Sequence, residues 1–209
     1  MVTKLLQGHS RFRQDYFQHE RELFDALASG RHEPTALVIS CSDARVVPNV
    51  ILNADPGDLF VVRNIANLVP PFDDVTNRSV GAAIEYAVHA LRVPHIVVCG
   101  HTCCGGLRAL IGGMDPIAAD MPTLALWLED ASALKRRLVS LRQDFDEAAL
   151  ERQLVMENVA VQLENLLTYP AVRLALDRGA LELHGWVYSL EDGAVRVYDP
   201  VANAFTPWK

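Results

Sequence analysis

The sequence predicts an α/β fold in which a mostly parallel central β-sheet is flanked by helices. Three short apolar runs, at 37–40, 59–63 and 95–99, are rich in β-branched residues and match strands that are covered on both faces. An amphipathic helix predicted over 79–91 separates the second run from the third. This strand–helix–strand succession is typical of a parallel sheet, so we predict parallel strands at the centre of the molecule.

Helical and hairpin patterns account for most of the remaining chain, and we see no linker or internal repeat in it. We therefore predict a single domain over residues 1–209. Its first 30 residues form a helical arm, which either packs on its own core or embraces a second subunit. Further along we predict a helical region at 122–167 with a break near Asp144, a helix capped by Thr168, and a closing C-terminal hairpin over 181–198.

Composition excludes several classes of protein. Half of the 209 residues are hydrophobic, so the chain is not intrinsically disordered. Its formal net charge of −7 argues against a nucleic-acid partner or an anionic membrane surface. Neither a signal peptide nor a membrane-spanning apolar stretch is evident, so we expect a cytoplasmic protein without a membrane partner. In that compartment the four cysteines favour metal binding or catalysis over disulfides.

Metal-ligating residues follow two of the predicted strands. Cys41 ends the first strand, and His101 and Cys104 follow the strand at 95–99. The carboxyl ends of parallel strands meet at one edge of a sheet, where open α/β sheets bind their ligands. Two thiolates and one imidazole suit zinc, and a three-ligand set leaves a position for water, as catalytic zinc sites do. The three-residue spacing favours Cys104 over its neighbour Cys103, which remains the alternative fourth ligand.

Asp43 and Arg45 lie directly after the first proposed ligand. As a surface ion pair they would contribute little to stability. Beside a metal, the Asp43 carboxylate can accept the proton of a zinc-bound hydroxide while Arg45 holds that carboxylate away from the metal. Five other histidines are interpreted as surface or packing residues, namely His9, His19, His89, His95 and His184.

Two motifs carry a close resemblance to a known family. Cys41-Ser42-Asp43-Ala44-Arg45 and the run 100–106 (GHTCCGG) resemble the β-class carbonic anhydrases. The runs at 60–72, 81–87 and 165–170 are similar to the plant-type branch of that class. The resemblance spans roughly residues 30 to 200.

The resemblance implies an enzyme, a lyase that reversibly hydrates carbon dioxide to bicarbonate and a proton by attack of a zinc-bound hydroxide. One zinc ion per chain would be held by Cys41, His101 and Cys104, with Asp43 and Arg45 as the catalytic pair. The resemblance also implies a homodimer or a multiple of dimers.

The substrate pocket implied by the resemblance is apolar and is built across the dimer interface. Its matching positions are Phe60, Ile65, Tyr86 and the backbone of Gly105. A glutamine that hydrogen-bonds the substrate is expected nine residues before the first cysteine, where this chain has His32, next to Arg31.

Two further departures from the family pattern separate this chain from some of its relatives. Ala44 replaces a usual serine, and Val38 stands where a bicarbonate-gated branch carries tryptophan, so the chain resembles the ungated branch. Two alternatives stay open: a hydrolase of carbonyl sulfide or carbon disulfide on the same fold, and a non-catalytic zinc or thiol-redox module.

Overall fold

The computed structural model describes residues 2–30, 32–73, 78–113, 115–129, 131–143 and 145–208. They fall into two compact units, Met1–Glu33 and Pro34–Lys209. No helix within the described residues combines the length and the apolar character that crossing a bilayer requires.

The described residues of the first unit contain three helices within the helical arm that the sequence predicted: α1 (Val2–Gln14), α2 (Tyr16–His19) and α3 (Arg21–Ala28). The backbone leaves the helical region at Asp15 and Glu20, which divides the arm into these three helices. The turns bring aromatic rings together, with the Phe17 and Phe24 centroids 4.6 Å apart. Ring packing replaces a closed core, since none of these described helices contains a fully buried residue. Whether this arm embraces a second subunit stays a prediction.

The second unit is built on a six-stranded sheet in the order β2-β1-β3-β4-β5-β6. The first four strands in that order are mutually parallel, and the last two pair antiparallel. The fold class predicted from the sequence is confirmed, and the last strand extends the predicted hairpin. The strands are β1 (Ala36–Cys41), β2 (Leu59–Asn64), β3 (His95–His101), β4 (Glu182–Tyr188), β5 (Val195–Asp199) and β6 (Ala204–Pro207).

Helices surround the sheet, and several differ from the predicted ones. The helix predicted over 79–91 starts as an α-helix and continues as a π-helix over Tyr86–Leu91. The predicted cap is wrong: Tyr169 precedes the last helix, and the Thr168 hydroxyl instead donates to the Asn165 carbonyl. The predicted break near Asp144 falls outside the described residues. The helices are α4 (Pro48–Ile51), α5 (Arg78–Glu85), α6 (Gly105–Gly112), α7 (Asp115–Asp120), α8 (Pro122–Glu129), α9 (Ser132–Leu141), α10 (Glu147–Leu166) and α11 (Pro170–Asp177).

Helix α10 packs closely across β3 because Gly100 has no side chain. A Cβ at Gly100 would lie only 2.8 Å from Val159 Cγ2, closer than real carbon atoms approach. The larger apolar core occupies this face of the sheet. A smaller cluster on the opposite face includes Val38, Val97 and Cys99, and it places Cys99 in the core as the sequence predicted.

Strand order determines where a ligand site can form. The chain passes from β1 to β2 on one side and then crosses to β3 on the other side of β1. The carboxyl ends of β1 and β3 therefore flank the point where the winding direction reverses, which is where open α/β sheets hold their ligands.

Candidate metal centre

The structure brings Cys41, His101 and Cys104 together at that reversal point, all three buried. Cys41 ends β1, His101 ends β3, and Cys104 lies directly before α6. The Cys41 and Cys104 sulfur atoms are 3.9 Å apart. Two thiolates each about 2.3 Å from a tetrahedral zinc ion would lie about 3.8 Å apart, so this spacing fits the metal.

The His101 ring presents a single free nitrogen to the two cysteines. Its Nδ1 lies 2.8 Å from the Thr102 carbonyl oxygen, which can only accept, so Nδ1 carries the proton. Nε2 is therefore the unprotonated nitrogen, and it is buried with no hydrogen-bond partner in the described part of the chain. A buried acceptor without a partner is costly, and a metal ion would satisfy it.

The two thiols influence each other's protonation. A hydrogen bond from the Cys104 thiol lowers the pKa of Cys41, and the resulting thiolate raises the pKa of Cys104. The contact between the two sulfur atoms thus favours loss of a proton from Cys41 over loss of one from Cys104. A coordinated divalent cation deprotonates thiols outright, so this pair is suited to bind one and to release a proton as it does so.

Cys103 is turned away from this cluster. Its backbone adopts a left-handed conformation with φ of 58°, and its thiol lies 3.5 Å from the Glu191 carboxylate. Burial, with Glu191 beside it, raises the pKa of Cys103. The Cys103 thiol thus lies beside Glu191 and not beside Cys41 and His101, and this placement supports Cys104 as the ligand.

Glu191 also fastens the loop that carries these residues, a role that the sequence did not reveal. Its carboxylate accepts hydrogen bonds from the Thr102 hydroxyl at 2.6 Å and from the Ser189 hydroxyl at 3.1 Å. Thr102 Oγ1 in turn accepts from the Leu190 amide. The turn between β4 and β5 thus holds the backbone between His101 and Cys104.

Asp43 and Arg45 form a bidentate pair. Arg45 Nε donates to Asp43 Oδ1 at 3.0 Å and Nη2 donates to Oδ2 at 2.7 Å, while the Arg45 amide also donates to Oδ1. These hydrogen bonds hold the pKa of Asp43 well below its usual range. A second bond from Arg45 Nη2 to the Cys103 carbonyl joins the pair to the loop between His101 and Cys104.

Arg63 was not singled out by the sequence analysis, yet it clamps the segment after Cys41. From β2, its guanidinium donates to the carbonyl oxygens of Cys41, Asp43 and Val46 at 3.0, 2.7 and 2.6 Å. Its partners are backbone oxygens, which have no side-chain signature. A basic residue in an otherwise apolar strand was the available signal.

Side chains of α10 hold the irregular segment that follows β2. Asn158 Nδ2 donates to the Ala66 carbonyl at 2.9 Å, and Gln162 Oε1 accepts from the Val69 amide at 2.7 Å. Gln162 Nε2 also donates to Asn158 Oδ1, which joins the two amides into one buried network. Buried polar side chains thus replace the missing backbone ladder.

The predicted pocket residues lie on four elements: Phe60 is in β2, Ile65 directly follows β2, Tyr86 begins the π-helical turn, and Gly105 begins α6. The Phe60 and Tyr86 rings are 5.8 Å apart, and Tyr86 and Ile65 are 54% and 39% exposed. Gly105 begins α6, and a Cβ on the next residue, Gly106, would lie 2.7 Å from Ile65 Cγ2. Helix α6 therefore packs directly against the turn that carries Ile65.

His32 belongs to the first compact unit, where it is exposed and its amide donates to the Gly30 carbonyl. Its neighbour Arg31 falls outside the described residues. A substrate contact by His32 stays a prediction.

Comparison with known proteins agrees with the site. The family model described as "Carbonic anhydrase" matches residues 36–195. A carbonic anhydrase of Synechocystis sp. is 41% identical over 98% of this chain and 73% of its own length. A carbonic anhydrase of Pseudomonas aeruginosa is also 41% identical, over 98% of this chain and 90% of its own length.

Solved structures show the same likeness. The β-carbonic anhydrase CcaA superposes with a TM-score of 0.95 at 39% identity, covering 100% of this chain and 92% of its own. A structure of two tetrameric β-carbonic anhydrases from Sordaria macrospora has a TM-score of 0.82 at 30% identity and covers 98% of both chains. The chain therefore belongs to the β-class carbonic anhydrases.

Proposed function

We propose that this carbonic anhydrase carries out the reversible hydration of carbon dioxide with one zinc ion held by Cys41, His101 and Cys104. The family assignment identifies the reaction. The observation that supports the ligand set is the buried Nε2 of His101, which has no hydrogen-bond partner among the described residues and whose ring is grouped with the Cys41 and Cys104 sulfur atoms. Zinc, when bound, supplies a Lewis acid that lowers the pKa of a water molecule to form a nucleophile near neutral pH.

Asp43 serves as a hydrogen-bond acceptor that orients this water. Oδ1 already accepts two bonds from Arg45, whereas Oδ2 accepts one and retains a lone pair. Because the pKa of Asp43 is far below neutrality, the carboxylate orients the water without retaining its proton. Arg45, which holds both oxygens, keeps the carboxylate from closing on the zinc as a further ligand.

The substrate pocket is proposed at Phe60, Ile65, Tyr86 and the Gly105 backbone. Carbon dioxide is small and apolar, and the exposed faces of Ile65 and Tyr86 give it an apolar surface. We also propose His32 as the polar contact to bicarbonate.

We propose a homodimer or a multiple of dimers as the functional assembly. Exposed apolar side chains on the first unit, such as Leu5 and Leu6 at 74% and 64%, and Tyr86 on the second unit support an interface. The two tetrameric β-carbonic anhydrases of Sordaria macrospora give a precedent for oligomers in relatives. Light scattering on the purified protein measures the mass directly, and a monomer at micromolar concentration would contradict the proposal. The cytoplasmic location predicted from the sequence stays a prediction.

The decisive experiment measures carbon dioxide hydration by purified protein whose zinc content is quantified, with carbonyl sulfide as a second substrate. We expect one zinc per chain and hydration activity that falls in proportion when a chelator removes the metal. Activity without zinc, or faster turnover of carbonyl sulfide than of carbon dioxide, would contradict the proposal. None of the contacts described above favours the carbonyl sulfide or thiol-redox alternatives.

A further inference from the structure

A second cluster of side chains that can bind metal lies at the amino ends of β3 and β4, at the opposite end of the strands from Cys41 and His101. His95 opens β3, and Glu182 and His184 lie in the first half of β4. In the parallel register His95 pairs with Glu182 and Val97 pairs with His184. Residues two apart in a strand share a face, so all three side chains project from one face of the sheet.

The three ligand atoms form a nearly equilateral triangle. His95 Nδ1 lies 3.2 Å from His184 Nε2, and Glu182 Oε2 lies 3.7 and 3.6 Å from those two nitrogens. A point equidistant from three atoms with these separations lies about 2.0 Å from each of them, which equals the bond length of zinc to imidazole nitrogen or carboxylate oxygen. The spacing is that of three ligands on one metal ion.

Hydrogen bonding does not account for the position of the carboxylate. At 3.6 and 3.7 Å, Glu182 Oε2 is beyond hydrogen-bond distance from both imidazoles, yet it is almost equally far from each. An ordinary ion pair would bring the carboxylate onto one ring. The two ring nitrogens lie within hydrogen-bond distance of each other, and a bound ion would replace that contact.

The cluster is also accessible and chemically suited to a cation. The side chains of His95 and His184 are 42% and 31% exposed, and both line an open groove of about 570 Å³. Burial and the neighbouring His95 lower the pKa of His184, so its ring is neutral and able to coordinate at pH 7. The Glu182 carboxylate supplies the negative charge that such an ion needs.

We propose that His95, Glu182 and His184 form a second metal site that binds a divalent transition ion such as Zn²⁺ at the amino edge of the sheet. Two imidazoles and one carboxylate are a ligand set found in zinc sites, and the coordination positions that remain are open to water. The ion would join β3 to β4 at the end opposite the catalytic centre. This inference does not depend on the proposed function, because it involves none of the catalytic residues.

The test titrates Zn²⁺ by calorimetry into full-length protein that already carries one zinc per chain. We expect a second equivalent to bind, and anomalous diffraction from zinc-soaked crystals to place it between His95 and His184. His95→Gln and His184→Gln should each weaken this second binding by at least about tenfold. Removing a residue that only hydrogen-bonds a metal ligand already lowers metal affinity by about that factor, and these variants remove a ligand itself. Both variants should keep the first zinc and the hydration activity, which shows that they are folded.

His89→Gln is the matched control, because His89 is an exposed histidine on the helix that leads to β3 and should leave the second binding unchanged. The proposal is overturned if the zinc-loaded protein binds no second equivalent. It is equally overturned if that equivalent persists in both His95→Gln and His184→Gln, or if the anomalous peak lies elsewhere.

Discussion

The two ends of β3 each carry a histidine, and their surroundings differ sharply. His101 is fully buried at the carboxyl end, and one backbone carbonyl determines which of its nitrogens is free. The His95 side chain is 42% exposed at the amino end, where its Nδ1 faces the side chains of His184 and Glu182. The backbone therefore orients the imidazole of His101, whereas His95 is placed only by its register with the neighbouring strand. We conclude that the carboxyl end offers a metal ion a fixed, buried set of side chains, and the amino end an exposed and less constrained one.

Replacing a thiolate at the carboxyl end should have the largest effect. Cys41→Ser and Cys104→Ser replace soft sulfur ligands with hydroxyls, so we expect loss of bound zinc and a fall in hydration rate of more than about 100-fold. Zinc content and initial rates measure both effects. Cys103→Ser is the control: its thiol contacts Glu191, so zinc and activity should remain near the wild-type level. The ligand assignment is wrong if Cys103→Ser removes the metal and Cys104→Ser does not.

Freeing the carboxylate at this end should have the next largest effect. Arg45→Ala removes three side-chain bonds that restrain Asp43 and the Cys103 carbonyl, so Asp43 can close on the zinc. We expect the rate to fall about 10- to 100-fold while zinc stays bound. Rates and metal content measured on the same preparation separate the two effects.

The chain offers a matched control in Arg108→Ala. Arg108 is as exposed as Arg45, at 55%, and its partner Glu151 is as buried as Asp43. If both arginine variants lose the same activity, the effect reflects a lost surface ion pair and the role of Arg45 is refuted.

The close packing of α6 against Ile65 and Ala66 gives a prediction about stability. Gly106→Ala would place a Cβ 2.7 Å from Ile65 Cγ2 and 3.1 Å from Ala66 Cβ, so we expect the free energy of unfolding to fall by about 1–3 kcal/mol. Urea denaturation monitored by tryptophan fluorescence measures it. Gly112→Ala, in the last position of the same helix with nothing within 4 Å, should change stability little. Equal stability of the two variants would contradict this prediction, because it would show that α6 shifts to accommodate the added methyl group without loss of stability.

The pH dependence should show the smallest and most gradual change. Hydrogen bonds from Arg45 lower the pKa of Asp43, so this carboxylate stays ionised as the pH falls from 9 to 6 and cannot cause a loss of rate in that range. Two thiolates offset the zinc charge, so we expect the hydration rate to rise smoothly with pH with an apparent pKa above about 7. Stopped-flow rates measure the profile. Full activity at pH 6, or a steep loss below pH 8 that bicarbonate deepens, would be inconsistent with this expectation and with Val38 marking an ungated enzyme.

The grouping of Cys41, His101 and Cys104 could be predicted from the sequence because the information that specifies it is local. Cys41 and His101 each end a short apolar strand, and the parallel arrangement brings such strand ends together. The choice between Cys103 and Cys104 likewise depended on a three-residue spacing. The fold class followed from the same strands and the helix between them.

The supports of the site could not be predicted, because they depend on contacts between distant segments. Gln162 and Val69 are separated by 93 positions, and nothing in either stretch marks the other as its partner. Arg63 binds carbonyl oxygens, which every residue has. The breaks at Asp15 and Glu20 lack glycine or proline, so the usual signals of a helix end were missing.

The side-chain amides of Asn64, in β2, and Gln162, in α10, have a consequence for hydrogen exchange in the segment that follows β2. The Leu68 amide donates to Asn64 Oδ1, and the Val69 amide donates to Gln162 Oε1, both at 2.7 Å. Both residues are also buried although they lie in an irregular segment. Their amide protons can exchange with solvent only when these side-chain bonds open, and for Val69 that requires α10 to move. Val69 should therefore exchange together with the amides of α10, so that a loop and a helix 93 positions apart open as one unit.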